Sequence, residues 1–169
     1  MPSFTKKAII DSFLLLIEKK PLEKITVRDL VDECGINRNT FYYYFQDIYA
    51  VLEEYCDMTA ASLAQEKSPQ SLLLSLLRYS RDFTASRPRA AKMLAFSLGH
   101  EGLERYLGTR LEPVLRECML QNEGISPTPT ALRFVRHAMI GLCLDIMRAD
   151  KNVTVQDTEL LPLLQALFA

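Results

Sequence analysis

Apolar positions recur every three or four residues along most of this chain, and no stretch alternates convincingly with a period of two; the pattern predicts helices and no strands. From Thr5 to Lys19 the apolar set is Ile9, Ile10, Phe13, Leu14 and Ile17, and Lys19-Lys20-Pro21 closes the helix. Cations suit the negative end of a helix dipole, and proline stops continuation. Thr26-Val27-Arg28-Asp29 reads as a capping box that opens a short helix with Val27, Leu30, Val31 and Cys34 on its buried stripe. Gly35 supplies the left-handed residue that ends it. Asn37 caps a third helix and Asp47 a fourth, which runs to about residue 65 with Val51, Leu52, Tyr55, Met58 and Leu63 on its apolar side. After a break at Glu66-Lys67-Ser68-Pro69, helices are predicted at about 70–86, 88–98, 102–121, 129–149 and 156–168. Pro113 and Pro162 fall inside predicted helices and should kink them or move an end. The expectation is an all-α fold of about nine helices.

Two short helices joined by Cys34-Gly35-Ile36, the first capped by Thr and the second by Asn, form the pattern of a helix-turn-helix. The third helix carries five consecutive aromatics, Phe41-Tyr42-Tyr43-Tyr44-Phe45. At about 100° per residue, Phe41 and Phe45 share the side facing the core with Ile36, while Asn39 and Tyr43 point away. Arg38, Thr40 and Tyr42 lie on the flanks, and Tyr44 sits at the edge of the buried side. Such a face suits DNA, because Asn pairs with adenine and Arg with guanine in the major groove, and flanking hydroxyls hold phosphates. The competing explanation is that the tyrosines only cover a small three-helix core.

Composition narrows the alternatives. The chain has 169 residues, 49% apolar and 24% charged, with a net charge of −1, which suits one compact globular domain and gives no support to a general nucleic-acid coat. Through Tyr49 the bases Lys6, Lys7, Lys19, Lys20, Lys24, Arg28 and Arg38 are balanced by Asp11, Glu18, Glu23, Asp29, Asp32, Glu33 and Asp47. A formally neutral head should bind DNA weakly alone, so affinity would come from two heads on one palindromic site. Cys34, Cys56, Cys118 and Cys143 are widely spaced, as expected of buried thiols, and His100 and His137 make no metal-binding spacing. No metal or cofactor is expected. No apolar run reaches bilayer length and no signal sequence opens the chain, so the expected location is cytoplasmic, with no membrane partner. No P-loop, dinucleotide, nucleophile-elbow or zinc-protease motif is present, which argues against an enzyme.

The stretch Ile25 to Phe45 resembles the DNA-binding domain of TetR-family transcriptional regulators, whose pattern runs roughly T-v-x-x-[IL]-a-x-x-[AC]-G-[VI]-[ST]-x-x-[TS]-[FL]-Y-x-[YH]-F. The resemblance spans residues 5 to about 55; the remainder matches only in being helical. It implies a helix-turn-helix domain over 1–48 and a helical effector and dimerisation domain over 49–169. Carried over by position, Thr26 and Arg28 lie near phosphates, Asn37, Arg38, Asn39 and Tyr43 meet the groove, and Thr40, Tyr42 and Tyr44 hold the backbone. Two positions depart from the pattern: Asn37 replaces the commoner Ser or Thr, and Ile48 stands where many members carry a lysine. The implied function is a dimeric regulator on a palindromic operator, a repressor whose heads respond to an effector.

In the C-terminal part, Leu132, Val135, Met139, Leu142, Cys143, Ile146 and Met147 form one near-heptad stripe, and Ala131, Phe134, Ala138 and Gly141 another. With Leu160, Leu164 and Leu167 of the last segment, the first stripe, through Leu132, Val135, Met139, Leu142 and Ile146, is the expected dimer interface. Tyr79, Phe83, Met93, Phe96, Tyr106 and Met119 are the candidates to line an effector pocket. Arg78, Arg81, Arg87, Arg89 and Lys92 make a basic stretch, read either as a solvated face or as a contact for an anion or flanking DNA. The alternative function is a regulator controlled by a protein partner. The short C-terminal domain and the Phe45-to-Tyr49 turn are similar to the family branch that holds the dihydroxyacetone kinase activator, whose effector is a partner protein. A missing cavity beside an apolar surface patch would favour that reading.

Overall fold

A computed structural model describes residues 4–121, 126–149 and 162. Among these residues the fold is all-helical. The helices are α1 (Phe4–Lys19), α2 (Val27–Cys34), α3 (Arg38–Tyr44), α4 (Ile48–Leu63), α5 (Pro69–Ser86), α6 (Pro88–Leu103), α7 (Thr109–Leu120) and α8 (Pro129–Arg148). A single 3-10 turn, Leu22–Lys24, follows α1, and a π segment, Glu104–Gly108, joins α6 to α7. With residues 88–120 taken as one stretch kinked at Gly99, the described residues hold seven helical stretches rather than about nine. The expected helix at 156–168 lies outside the described residues except for Pro162, which is helical and exposed.

Local sequence accounts for most boundaries. Thr26 and Asp29 complete the capping box of α2: the Thr26 hydroxyl accepts from the Asp29 N–H at 3.2 Å, and the Thr26 N–H donates to Asp29 Oδ2 at 2.8 Å. Gly35 takes φ 71°, and the Ile36 N–H reaches back to the Val31 carbonyl at 3.1 Å, satisfying a terminal acceptor of α2. Asn37 caps α3 through Thr40 N at 2.8 Å and Asp47 caps α4 through Ala50 N at 2.8 Å. Ser68 caps α5, with Pro69 at the position where a missing N–H costs nothing.

The expected break at Gly99-His100 is a kink within α6, where Gly99 adopts φ 58° and ψ −164°. Two helical segments thus meet across Gly99 as the sequence predicts, and the second continues directly into the π segment and α7. Pro113 does not end α7. A proline removes one helix hydrogen bond, and Pro113 is exposed, so the carbonyl it leaves unpaired sits on the wet side of the helix.

One continuous apolar cluster runs from Ile9 to Met147. The N-terminal head therefore shares its core with the body, and the expected boundary at 48/49 falls in the first turn of α4. Glu18 of α1 pairs with Arg87 at 3.1 Å and Lys6 with Glu54 of α4 at 2.7 Å, adding polar ties across the junction.

Candidate functional site

The outward face of α3 is built from its buried one. Phe41 and Phe45 are buried and 6.0 Å apart, with Ile36 packed against the same core. That anchoring turns Arg38 and Asn39 to solvent and leaves Tyr43 82% and Tyr42 55% exposed. Tyr44 is half-buried, its ring edge-on to Tyr43 at 4.9 Å. Arg38, Asn39, Tyr42 and Tyr43 thus share one exposed surface.

The capping residues are more committed than the sequence shows. Asn37 Oδ1 accepts both the Thr40 N–H at 2.8 Å and the Thr40 hydroxyl at 3.1 Å. The Thr26 hydroxyl donates to Asp29 Oδ2 at 2.6 Å, so this donor is already engaged. Lys20 reaches the same carboxylate at 2.6 Å, and these bonds pull the Asp29 pKa down from 3.8 to about 2. Arg28 lies 3.7 Å from Asp32, and Lys19 pairs with Glu33 at 2.7 Å. Several head cations are therefore held by the chain's own acids. Ile48, at the departing position, is buried beside Val51 and Leu52 in the apolar cluster, so packing accounts for its apolar identity.

The six pocket candidates do not come together. Only Tyr79 and Phe83 border the core cavity of about 50 Å³, which Tyr55, Cys56 and Thr59 of α4 also line. Leu103 and Leu107 border it from the α6–π junction, and Cys143 and Met147 from α8. Met93 and Phe96 instead lie on a surface groove with Lys92 and Arg148, and Phe96 is 81% exposed. Met119 is plain core. Tyr106 stacks on Tyr49 at 6.5 Å, beside the start of α4. Helical spacing could not separate these places, because it fixes an angle about one axis and not the neighbour that fills it.

Inside the cavity, sequence reading missed a chain of hydroxyls. Thr59 Oγ1 lies 3.0 Å from the Tyr55 carbonyl and 3.1 Å from Tyr79 Oη, and Tyr79 Oη lies 2.8 Å from Tyr55 Oη. Burial drives the Tyr55 phenol far above its ordinary range and raises Cys56 to about 12 and Cys143 to about 11, so all three keep their protons at neutral pH. The i, i+4 pair Tyr55 and Thr59 was the available signal for this polar seam.

The expected dimer stripe needs correction. Leu132, Val135, Met139 and Ile146 are buried within their own chain, and Leu142 is half-buried. Packing of α8 against α5 and α6 consumes that face, and the second stripe is left outward, with Ala138 exposed and Phe134 66% exposed. Leu160, Leu164 and Leu167 lie outside the described residues. Beside the stripe, Arg136 clamps Glu104 at 2.5 Å and also bonds Glu112, and His137 stacks on His100 at 5.1 Å. Cys34 is half-buried, unlike the other three thiols, which are buried as expected.

Comparison with known proteins places this architecture. Residues 9–55 match the family model of bacterial regulatory proteins, tetR family. No curated protein matches the chain in sequence. Among solved structures, the chain is similar to the dihydroxyacetone kinase operon activator DhaS, with 21% identity, a TM-score of 0.67, and coverage of 99% of this chain and 97% of that one. It is also similar to NalD of Pseudomonas aeruginosa, the secondary repressor of the MexAB-OprM multidrug efflux pump, with 20% identity, a TM-score of 0.63, and 97% and 94% of the chains covered. A TetR transcriptional regulator from Rhodococcus sp. RHA1 shares 18% identity and a TM-score of 0.50 over 86% and 85% of the two chains. At these identities the structural likenesses establish the fold alone.

Proposed function

We propose that the chain, whose residues 9–55 match the model of bacterial regulatory proteins of the tetR family, is a TetR-family DNA-binding transcription regulator that acts as a dimeric, effector-responsive repressor on a palindromic operator. The observation that carries the reading is the α3 surface: Arg38, Asn39 and Tyr43 face outward from a helix locked by Phe41 and Phe45. Arg38 and Asn39 read base edges, while Tyr42, Tyr44 and Thr40 hold phosphates. Thr40 releases its hydroxyl from Asn37 to do so, and the cap survives through the Thr40 N–H. At α2, Thr26 and Arg28 lie beside the phosphate path, and Arg28 exchanges Asp32 for a phosphate. Two copies meet through the outward stripe of α8, centred on Phe134, together with the C-terminal segment.

A protein-controlled regulator is the second reading, and two observations favour it. The core cavity of about 50 Å³ is far below the ~300 Å³ at which ligand pockets commonly begin. Phe96 and Met93, flanked by Lys92 and Arg148, put apolar surface outside. DhaS is by its name an operon activator and NalD a repressor, so related folds serve both signs of control.

The test is selection from a random duplex DNA pool at low and near-physiological salt. Enrichment of a palindrome with half-sites about one helical turn apart supports the dimeric reader. Retention without any preferred sequence at either salt removes the proposal.

A further inference from the structure

We propose that the core cavity is a site for a small, uncharged molecule bearing one hydroxyl or carbonyl group, held at the phenol of Tyr55. The proposal rests on the effector-responsive reading and specifies its ligand chemistry. Thirteen described residues border the cavity, and none of them is Lys, Arg, His, Asp or Glu. The nearest ionic groups, Arg87 beside Tyr55 and Arg110 beside Cys56, are already paired with Glu18 and with Asp57 and Glu53, so an ion entering the cavity would lose hydration without gaining a free partner. Both charged signs are therefore rejected. Cys56 and Cys143 also border the space, but burial keeps them as thiols, so neither offers the thiolate needed to capture an electrophile.

What remains is hydrogen bonding, and it has one open end. Thr59 can close onto the Tyr55 main-chain carbonyl at 3.0 Å, and Tyr79 bridges Thr59 to Tyr55 through contacts of 3.1 and 2.8 Å. With the protons running from Thr59 through Tyr79 to Tyr55, the Tyr55 proton has no acceptor among the described residues and donates to a carbonyl. With the order reversed, Tyr55 Oη keeps free lone pairs and accepts from a hydroxyl. Either orientation leaves the unmet capacity on the same oxygen, and a neutral hydroxyl or carbonyl meets it without transferring charge.

Volume sets the size. A water-sized group needs about 10–15 Å³ of such space, so about 50 Å³ takes a body of roughly four or five heavy atoms. A ligand that small binds no more tightly than the micromolar range.

The site can be tested on the full chain by methyl NMR at Leu107 and Met147, titrating butanone and, separately, butyrate, its charged counterpart of similar size. Butanone should produce saturable shifts at both methyl positions, butyrate none, and Tyr55→Phe should weaken butanone about tenfold while its melting temperature reports whether it stays folded. Absence of saturable butanone shifts, equal binding of butyrate, or a folded Tyr55→Phe that binds butanone unchanged overturns the proposal. The butanone–butyrate contrast in the unaltered protein stands without any variant. Operator selection is measured without either probe, so loss of the ligand site and loss of the DNA-reading function are told apart.

Discussion

Asn37 and Thr40 join a folding role, the cap of α3, to the recognition role proposed for them. The Asn37 side chain satisfies an orphan N–H of α3, and its loss in Asn37→Ala should cost about 1 kcal/mol in urea unfolding, with Asn37→Ser nearly neutral. The outward residues divide by chemistry. Arg38→Ala or Asn39→Ala should relax base preference at particular operator positions by about 1–3 kcal/mol, whereas Tyr42→Phe should weaken all sequences alike. A binding-site logo from each variant distinguishes the two effects. Asp29 makes a pH prediction. Its folded pKa, about 2, lies below its unfolded 3.8, so the carboxylate contributes stability above the unfolded value and loses it as pH falls toward 2. Asp29→Asn should therefore lower the melting temperature at pH 7, and the gap from the parent should close by about pH 2. These residues were legible in sequence as caps, because capping is local. The second bond from Thr40 to Asn37 was not, since a hydroxyl rotor is set by what surrounds it.

At the scale of elements, the instructive cases are α8 and the α6–α7 joint. Two apolar stripes were visible on α8, but periodicity does not say which one its own neighbours bury. Packing against α5 and α6 took the stripe of Leu132, Val135 and Met139 and left Phe134 outside. The π segment had no sequence signal that period-reading detects. Its Gly108 is explained by the structure: a Cβ there would collide with a carboxylate oxygen of Glu104, which Arg136 holds in place. Gly108→Ala should destabilise the fold by about 1–3 kcal/mol in urea unfolding, the usual cost of overpacking. The same segment faces two ways. Leu103 and Leu107 border the cavity, while Tyr106 stacks on Tyr49 and Arg110 bridges Asp57 at 2.6 Å and Glu53 at 3.4 Å on α4.

For the whole molecule, the head's charge balance becomes a prediction about salt and assembly. Lys6, Lys19 and Lys20 are held in ion pairs at 2.6–2.7 Å, which leaves Arg28, once it exchanges Asp32 for a phosphate, among the few head cations that displace counterions from DNA. With one or two phosphates neutralised per head, the slope of log Kobs against log salt for a dimer should be about −2 to −4. Such a reader depends on having two heads. Phe134→Glu should therefore convert the proposed dimer to a monomer in sedimentation, abolish operator binding and remove the concentration dependence of the melting temperature, while the chain stays folded because Phe134 is exposed on the single chain. A Phe134→Glu protein that remains dimeric would remove α8's outward stripe from the interface.

Sequence by itself determined what is local or periodic: the helical class, the capping residues Thr26, Asn37 and Asp47, the turn at Gly35, and the division of α3 between Phe41 and Phe45 inside and Asn39 and Tyr43 outside. Each follows from backbone sterics, from orphan N–H groups, or from a fixed angle per residue, none of which needs a distant partner. Tertiary structure alone decided which α8 stripe is spent inside the chain, which of six aromatic and sulfur side chains meet at a cavity, and that Tyr55, Thr59 and Tyr79 share a hydroxyl chain. Those outcomes depend on the relative placement of helices, and that placement comes from close packing summed over many side chains. No window of sequence contains it.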